Sequence, residues 1–154
     1  IIKSLAKIND LQDPTAKMSK SATSMSGVIE LLDLPEVTMK KFKSSVTDAG
    51  KEVKYDEKEK AGISNLLTIH SAFSGKSIKD IESEFAGKGY GDFKTQVGEI
   101  VVAALDPIRK RTEELMGDQS ELLKILKSGA DKANEVASKT LADAYAALGL
   151  IKNG

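Results

Sequence analysis

The stretch DFKTQVGEIVVAALDPIRKRTEELMG, residues 92–117, decides the fold. Its apolar side chains recur every three or four residues, which is the spacing of one face of an α-helix. Eight residues follow this spacing: Val97, Ile100, Val101, Ala104, Leu105, Ile108, Leu115 and Met116. Asp92 predicts the N-cap and Gly117 the end, and Pro107 predicts a kink or a split. So long an amphipathic helix indicates an α-helical protein.

The first two of the helices predicted before this stretch lie between residues 27 and 46. Hydroxyl side chains at residues 23–26 offer an N-cap for a helix at about 27–33. Pro35 and Glu36 predict the start of the next helix, because proline fits the first helical turn and glutamate suits its positive end. That second helix is expected to direct four apolar residues inward: Val37, Met39, Phe42 and Val46.

Capping residues predict the remaining helices. Residues 62–73 carry a helical apolar pattern that Gly75 ends, and Ser77 with Asp80 forms a capping box for the next helix. Asp118 with Glu121 forms a second capping box, before a long apolar stripe that Gly149 ends. Residues 1–11 fit a helix or a short strand. The sequence therefore predicts an all-α helical bundle with a short N-terminal appendage.

The composition limits the function. The 154 residues carry 23 basic and 23 acidic side chains, so no overall charge attracts nucleic acid or membrane, and an anion site must be a local patch. The absence of cysteine excludes Cys-based zinc sites and thiol chemistry, and it fits a reducing compartment. The longest apolar run, residues 100–105, is too short to span a bilayer. We expect neither a membrane nor DNA as a partner.

Two glycine-containing segments look like phosphate loops but have simpler explanations. SGKS at residues 74–77 resembles the end of a P-loop, but His70 stands where that motif needs glycine. The segment fits a helix C-cap followed by an N-cap. GKGYG at residues 87–91 follows a helix, so we interpret it as a connection between helices. His70 lies in an apolar run, and we expect a partly buried or capping histidine.

The strongest candidate site is KMSKS at residues 17–21. The ammonium groups of Lys17 and Lys20, three residues apart, can reach one phosphate chain from a mobile loop. Serine hydroxyls and exposed backbone N–H groups add donors, and a following helix start would add its dipole. A solvated connector is the alternative on composition alone.

KMSKS matches the second signature of class I aminoacyl-tRNA synthetases. Its context, AKINDLQDPTAKMSKS at residues 6–21, resembles the strand and loop that close the active site of bacterial tryptophanyl-tRNA synthetases. Four further blocks resemble that family: VTDAG at 46–50, GISNLLTIHSAFSGKS at 62–77, GKGYGDFK at 87–94 and ASKTL at 137–141. The resemblance implies that residues 1–21 end a Rossmann catalytic domain and that residues 22–154 form the helical anticodon-binding region.

The resemblance also implies an activity. These enzymes join tryptophan to ATP, release pyrophosphate and transfer the acyl group to tRNA(Trp). Lys20, assisted by Lys17, would stabilise the charge on the leaving pyrophosphate. Ser19 and Ser21 would contact phosphate oxygens or shape the loop. Met18 would pack inward, and Ile8 would lie near the adenine. ATP is then a substrate accompanied by Mg²⁺, with no tightly bound cofactor and no metal ligands in this sequence.

Contacts with tRNA are expected near the turn after the second predicted helix. The expected residues are Lys40, Lys41, Lys43, Thr47 and Asp48. Lysines would bind phosphates, and Thr47 or Asp48 would bind a flipped base. A solvated helix face is the alternative for these lysines. The same alternative is favoured for the basic run at residues 109–111, which has glutamates beside it.

The family's other signature and its tryptophan pocket are missing, and the resemblance places both upstream of residue 1. We therefore expect the chain alone to be inactive. The resemblance implies a full-length enzyme that is a cytoplasmic homodimer, and we expect the fragment to be monomeric. Two alternatives stay open. One is a tyrosine-specific relative, and the other is a noncatalytic tRNA-binding or protein-binding module derived from a synthetase.

Overall fold

The chain is helical throughout most of its length. A computed structural model describes residues 7–22 and 24–151. Within these ranges lie five α-helices and one 3₁₀ turn: Met25–Gly27 (3₁₀), α1 Pro35–Lys43, α2 Ala61–Ser74, α3 Ile78–Glu84, α4 Tyr90–Gly117 and α5 Gln119–Leu148. No strand occurs in the described ranges, where β pairing is limited to one isolated bridge between Asn9 and Lys17. The all-α prediction is therefore confirmed, while the choice between helix and strand for residues 1–6 lies outside the described residues.

The chain divides into two compact units, Ile1–Arg109 and Lys110–Gly154. The division falls within α4. The predicted domain boundary after residue 21 stays a prediction. In the part of the chain that the structure describes, no helix is both long enough and apolar enough to cross a membrane.

The core of the first unit surrounds α2. Ile63, Leu66 and Leu67 of this helix are at most 1% exposed, and polar residues on the same helix are buried with them. The other elements contribute eight buried apolar side chains: Leu11, Phe42, Val53, Ile81, Phe85, Phe93, Val97 and Val101. Each such side chain stabilises the fold by roughly 1.5–3 kcal/mol when fully buried. The apolar pattern of residues 92–105 and that of residues 62–73 thus meet in one core.

The ends of α2, α3 and α5 follow the predicted capping signals. Gly75 ends α2 with a φ of 71°, a left-handed conformation that favours glycine. The Ser77 hydroxyl accepts a hydrogen bond from the Asp80 backbone N–H at 3.2 Å and begins α3. The Asp118 carboxylate accepts from the N–H groups of Ser120 and Glu121, at 3.0 and 3.1 Å, and begins α5. The predicted caps are therefore confirmed, but only the N-cap half of each capping box is present. The Asp118 N–H donates to the Glu114 carbonyl, and the Asp80 carboxylate accepts from the Ser77 hydroxyl.

The predicted helix at residues 27–33 is wrong. Ser24 does act as an N-cap, but the turn it begins, Met25–Gly27, is a 3₁₀ helix of three residues. The backbone becomes extended at Val28, whose side chain is 4% exposed. The carbonyl of Gly27 accepts a hydrogen bond from the Leu11 N–H at 2.9 Å. That bond and the burial of Val28 hold this segment against the N-terminal chain instead of in a helix.

The inward face of α1 also differs from the prediction. Phe42 is buried and Met39 half-buried, but Val37 is 36% exposed, and Thr38 takes a buried position instead. Val46 is 45% exposed because α1 ends at Lys43, so this valine lies beyond the helix.

The first half of α4 packs as predicted, but its start differs from the prediction, and of the two effects predicted for Pro107 the split does not occur while the kink stays a prediction. The helix begins at Tyr90, which places Asp92 in the first turn and not at the N-cap. It continues through Pro107 without a split. Val97 and Val101 are buried, whereas Ile108 and Met116 are about half or more exposed. The apolar stripe therefore belongs to the core only as far as the middle of the helix.

The second unit contains α5, which begins and ends where predicted. Gly149 ends the helix with a φ of 67°. No residue of α5 is buried. Its stripe is half-buried at Leu122 and exposed at Ile125, Leu126, Val136, Leu141 and Leu148. Within the described residues, the predicted amphipathic helix is present but its apolar side is uncovered.

His70 of α2 is fully buried between two aromatic rings. Its ring stacks on Phe93 with centroids 6.0 Å apart and meets Phe85 edge-on at 6.3 Å. Its Nδ1 is 3.1 Å from the Ser74 hydroxyl, while the buried Nε2 has no hydrogen-bond partner among the described residues. Burial lowers the pKa of His70, partly opposed by the nearby Glu84 carboxylate. The sequence predicted only partial burial.

We expect Gly62→Ala to destabilise the first unit. A Cβ on Gly62 would overlap the backbone carbonyl of Val46, and a backbone group cannot rotate away. Overpacking of this kind costs about 1–3 kcal/mol, which urea unfolding would measure. Gly98→Ala is the matched control, because its nearest neighbour is the flexible Met39 side chain. Equal losses in the two variants would contradict this explanation.

His70 should make stability depend on pH. The folded state lowers its pKa below the ordinary value of 6.5, so the unfolded chain binds the proton first as pH falls. The contribution of neutral His70 to the free energy of unfolding should therefore be fully present above about pH 6.5. It should be lost as the pH falls from there toward the folded-state pKa. Thermal unfolding between pH 5 and 7.5 would measure how steeply the unfolding temperature falls with decreasing pH. His70→Gln should flatten it, and an unchanged slope would show that another group titrates.

Candidate functional site

Lys17, the first lysine of KMSKS, lies on a short antiparallel stem. The Met18 N–H donates to the Ile8 carbonyl at 3.0 Å, and the Asp10 N–H donates to the Ala16 carbonyl at 2.9 Å. Between these two hydrogen bonds Asn9 faces Lys17 across the isolated bridge. The backbone of Lys17 is therefore fixed from both sides.

Asp10 closes the turn that joins the two sides of the stem. Its carboxylate accepts hydrogen bonds from the backbone N–H groups of Gln12 and Asp13, at 2.7 and 3.1 Å. The Asn9 side-chain amide donates to the Pro14 carbonyl at 2.7 Å. A Cβ on Gly27 would overlap the Asp10 carboxylate, so this position has room only for glycine. The 3₁₀ turn thus supports the base of the stem.

The residues of KMSKS point mostly to solvent. Lys17, Ser19, Lys20 and Ser21 are exposed, and Met18 is half-buried against the core. The two serine hydroxyls lie 2.9 Å apart, and the Ser21 N–H donates to the Ser19 hydroxyl at 3.3 Å. Among the described residues neither lysine has an ion-pair partner. The loop therefore presents two uncompensated positive charges.

Two neighbours of the loop bear on the predicted site. Ile8 is half-buried and packs against the core. The element after the loop is the three-residue turn Met25–Gly27, so the predicted helix start with its dipole is absent there. The positive charge of the loop comes from the lysines themselves.

The lysines of α1 separate into two kinds. Lys40 and Lys43 are exposed and make no ion pair among the described residues. Lys41 pairs with the Asp33 carboxylate at 2.6 Å, and these side chains are only 13% and 10% exposed. Lys41 would reach a phosphate only after leaving this partner.

Asp48 belongs to a polar cluster with Tyr90 and Lys60. The tyrosine hydroxyl donates to both carboxylate oxygens, at 2.8 and 2.9 Å, and Lys60 Nζ lies 3.2 Å from one of them. Burial raises the pKa of Asp48, but hydrogen bonds from Tyr90, the Gly50 N–H and Lys60 outweigh that effect and lower it overall. Thr47, half-buried, lies beside this cluster. The sequence did not reveal the cluster, because Tyr90 is 42 residues from Asp48.

The other segments considered from sequence show structural roles. Arg109 pairs with Asp106 at 2.6 Å, and Arg111 pairs with Glu114 and Glu121 at 3.0 and 2.6 Å. Gly75 ends α2, and Lys76 pairs with Glu84 at 2.6 Å, so SGKS is a helix end and not a phosphate loop. Gly87, with a φ of 78°, lies in the connection before α4.

The acidic and histidine side chains do not form a metal site in the part of the chain that the structure describes. No group of three or more His, Asp or Glu residues comes together there. Sequence reasoning missed three residues that shape the loop: Asp10, Gly27 and Asn65. For Asn65 the sequence offered one signal, an asparagine within the apolar run of α2, and the structure shows that this asparagine is buried.

Comparison with known proteins identifies these features as those of one family. The family model for tRNA synthetases class I (W and Y) matches residues 4–106. The chain is 51% identical over 152 residues to tryptophan–tRNA ligase of Leifsonia xyli subsp. xyli. It is 48% identical over 151 residues to tryptophan–tRNA ligase 2 of Streptomyces avermitilis. These alignments cover 99% and 98% of this chain but 45% of each relative, so the chain spans less than half of their length.

Solved structures agree with the sequence comparison. The crystal structure of tryptophanyl-tRNA synthetase from Mycoplasma pneumoniae matches with a TM-score of 0.81 at 32% identity. That of Campylobacter jejuni, complexed with ADP and tryptophan, matches with a TM-score of 0.69 at 30% identity. Each match covers 94% of this chain and 44% of the solved one. The sequence blocks, the helical fold and these relatives together show that the chain belongs to the class I tRNA synthetases of the tryptophan and tyrosine family.

Proposed function

We propose that this chain is the C-terminal part of a tryptophan–tRNA ligase. The observation that carries the proposal is the pair of exposed lysines in KMSKS, which make no ion pair among the described residues and are carried by a stem held against the helical core. Tryptophan as the amino acid is supported by relatives at about 50% identity, which are tryptophan–tRNA ligases. The enzyme would activate tryptophan with ATP and transfer it to tRNA(Trp).

The proposed first step is the attack of the tryptophan carboxylate on the α-phosphorus of ATP. The bond from that phosphorus to the bridging oxygen breaks, and pyrophosphate leaves with additional negative charge. Lys20, with Lys17 assisting, lies on the loop that would contact this pyrophosphate. Because the leaving group is most negative late in the reaction, the lysines stabilise the transition state more than the bound substrate.

The other loop residues would position the nucleotide. Ser19 and Ser21 would donate hydroxyl hydrogen bonds to phosphate oxygens, with Met18 fixing the loop against the core and Ile8 lying near the adenine. Magnesium would be bound through the phosphates of ATP. The described residues offer no acidic cluster of their own for it.

The proposal assigns residues 1–21 to the end of the catalytic domain and residues 22–154 to the anticodon-binding region. The tryptophan pocket and the first class I signature would lie in the remainder of the full-length enzyme. The 154-residue chain alone would then be inactive and monomeric, whereas the full-length enzyme would be a homodimer acting in the cytoplasm.

We further propose that the exposed surface of α1 binds tRNA. Lys40 and Lys43 are the available phosphate contacts, and Thr47 is a candidate for a base contact. Lys41 and Asp48 are included in the predicted surface, but each would first have to leave its internal partner.

Pyrophosphate exchange in the full reading frame that contains this chain tests the ligase assignment. We expect exchange with tryptophan and not with tyrosine. Lys20→Ala should lower the rate by about 100-fold or more, the usual loss when one group that stabilises developing charge is removed. Lys7→Ala is the matched control, because Lys7 is exposed in the same segment but lies outside the loop.

Three results would change the assignment. Exchange with tyrosine alone would indicate the tyrosine-specific relative. Exchange with neither amino acid would favour a noncatalytic binding module. Equal activity of Lys20→Ala and Lys7→Ala would remove the lysine loop from the mechanism.

The tRNA surface is tested by Lys40→Ala/Lys43→Ala in the same full-length protein. Loss of two phosphate contacts should weaken tRNA binding by roughly tenfold and flatten its salt dependence by about one to two units of slope. Filter binding across a salt series measures both. The control Lys132→Ala/Lys139→Ala removes the same charge from exposed positions on α5. If the two pairs weaken binding equally, only net charge matters and α1 is not the contact surface.

A further inference from the structure

Asn65 of α2 makes two reciprocal hydrogen bonds with the backbone of Asn9. The Asn9 N–H donates to Asn65 Oδ1 at 2.9 Å, and Asn65 Nδ2 donates to the Asn9 carbonyl at 2.9 Å. The Asn65 side chain is almost entirely buried, with 7% of the residue exposed. The two residues are 56 positions apart in the chain. The contact is therefore tertiary, and it is partly buried.

This pair takes the place of a neighbouring β-strand. Along an extended chain, the N–H and C=O of one residue point to the same edge, and those of the next residue point to the opposite edge. Ile8 and Asp10 use their edge to pair with the returning segment at Met18 and Ala16. Asn9 faces the other way, toward α2, where the described structure has no strand. The carboxamide of Asn65 supplies the donor and the acceptor that a strand would supply.

Asparagine is the side chain that fits this place. It carries one carbonyl oxygen and one NH₂ group on a short stem, so it can pair with both backbone groups at once. Aspartate has no donor and would set a negative oxygen against the Asn9 carbonyl. Leucine has nearly the same shape and no polar atom, so both backbone groups of Asn9 would lose their partners.

Through Asn9 the contact reaches the lysine loop. Asn9 faces Lys17 in the antiparallel bridge, between the two stem hydrogen bonds. A connected series of contacts thus runs from the buried helix α2 through Asn65 and Asn9 to the first lysine of KMSKS. Because α2 is the most buried helix of the first unit, it provides a rigid support for this stem.

We propose that Asn65 is a positioning residue for the phosphate-binding lysines, holding the stem in place while the loop tip stays free to close over ATP. This inference rests on the proposed ligase function. Asn65 does not touch the nucleotide. It acts through the backbone of Asn9, so it should matter most in the transition state, where lysine placement counts.

Asn65→Leu in the full-length protein tests the proposal, and Ser64→Ala is the matched control. Ser64 is the preceding residue on α2, is 3% exposed and also binds a distant backbone group, the Asp56 N–H, at 2.8 Å. Ser64→Ala therefore removes a hydrogen bond between α2 and a distant backbone group without changing the stem. Asn65→Asp, which keeps the acceptor and loses the donor, is a second variant in case the leucine variant does not fold.

Two measurements are combined. Hydrogen exchange should rise about tenfold or more in peptides covering residues 8–18 of the Asn65 variants, but should stay at the parent level there in Ser64→Ala. In pyrophosphate exchange, Asn65→Leu should lower kcat by about 10- to 100-fold with an unchanged KM for tryptophan, since small misplacements of a reacting group cost this much. Ser64→Ala should stay within about threefold of the parent.

Equal behaviour of Asn65→Leu and Ser64→Ala in exchange protection and in kcat would overturn the proposal. So would a loosened stem with unchanged kcat, because the stem would then not control the lysines. Failure of the ligase assignment would look different. The parent itself would show no pyrophosphate exchange with any amino acid, and protection of residues 8–18 would then decide alone whether Asn65 holds the stem.

Discussion

The structure depends on how an extended segment satisfies its backbone in helical surroundings. Buried N–H and C=O groups must find partners, and an extended chain normally finds them in a sheet. Here they come from separate places. Asn65 supplies both partners of Asn9, the Gly27 carbonyl accepts from the Leu11 N–H, and the Val46 N–H donates to the Leu11 carbonyl at 2.7 Å. Three segments far apart in sequence thus fix the N-terminal chain and, with it, the position of the lysine loop.

Helix α2 can serve as the support because it is buried on almost every side. Burial this complete favours specific partners for its polar side chains, since an unpaired polar group in the interior is costly. Nε2 of His70 is the exception on α2 among the described residues. Ser64 accepts from the Asp56 N–H, Asn65 pairs with Asn9, and His70 approaches Ser74. The first two contacts tie different connecting segments to the same helix. Apolar packing makes the helix stable, and these polar contacts determine which segments lie against it.

Local features of the sequence predicted local structure, and long-range contacts explain the failures. Ser77 and Asp118 cap their helices through N–H groups no more than three residues away, so their roles could be read directly. The Gly27 carbonyl accepts a hydrogen bond from the distant Leu11 N–H, and this contact is the reason that no α-helix begins at Gly27. The lysine loop was visible from residue order alone. The attachment of its stem to α2 was not, because Asn65, which pairs with the Asn9 backbone, lies 56 residues further on.

Although the net charge of the chain is zero, some lysines lie in ion pairs and others do not. Lys41 and Lys60 lie against the carboxylates of Asp33 and Asp48, and such pairs stabilise the fold while cancelling much of each charge at a distance. A lysine that stabilises a leaving pyrophosphate is less effective when it lies in such an ion pair, because it must first leave its carboxylate partner. The stem that carries Lys17 meets this requirement. Neutral amide hydrogen bonds attach it to α2, and the one buried carboxylate in its turn, Asp10, is hydrogen-bonded to backbone N–H groups of that turn. This attachment involves no ion pair with Lys17 or Lys20 among the described residues, so under the proposed function both lysines stay available for phosphate.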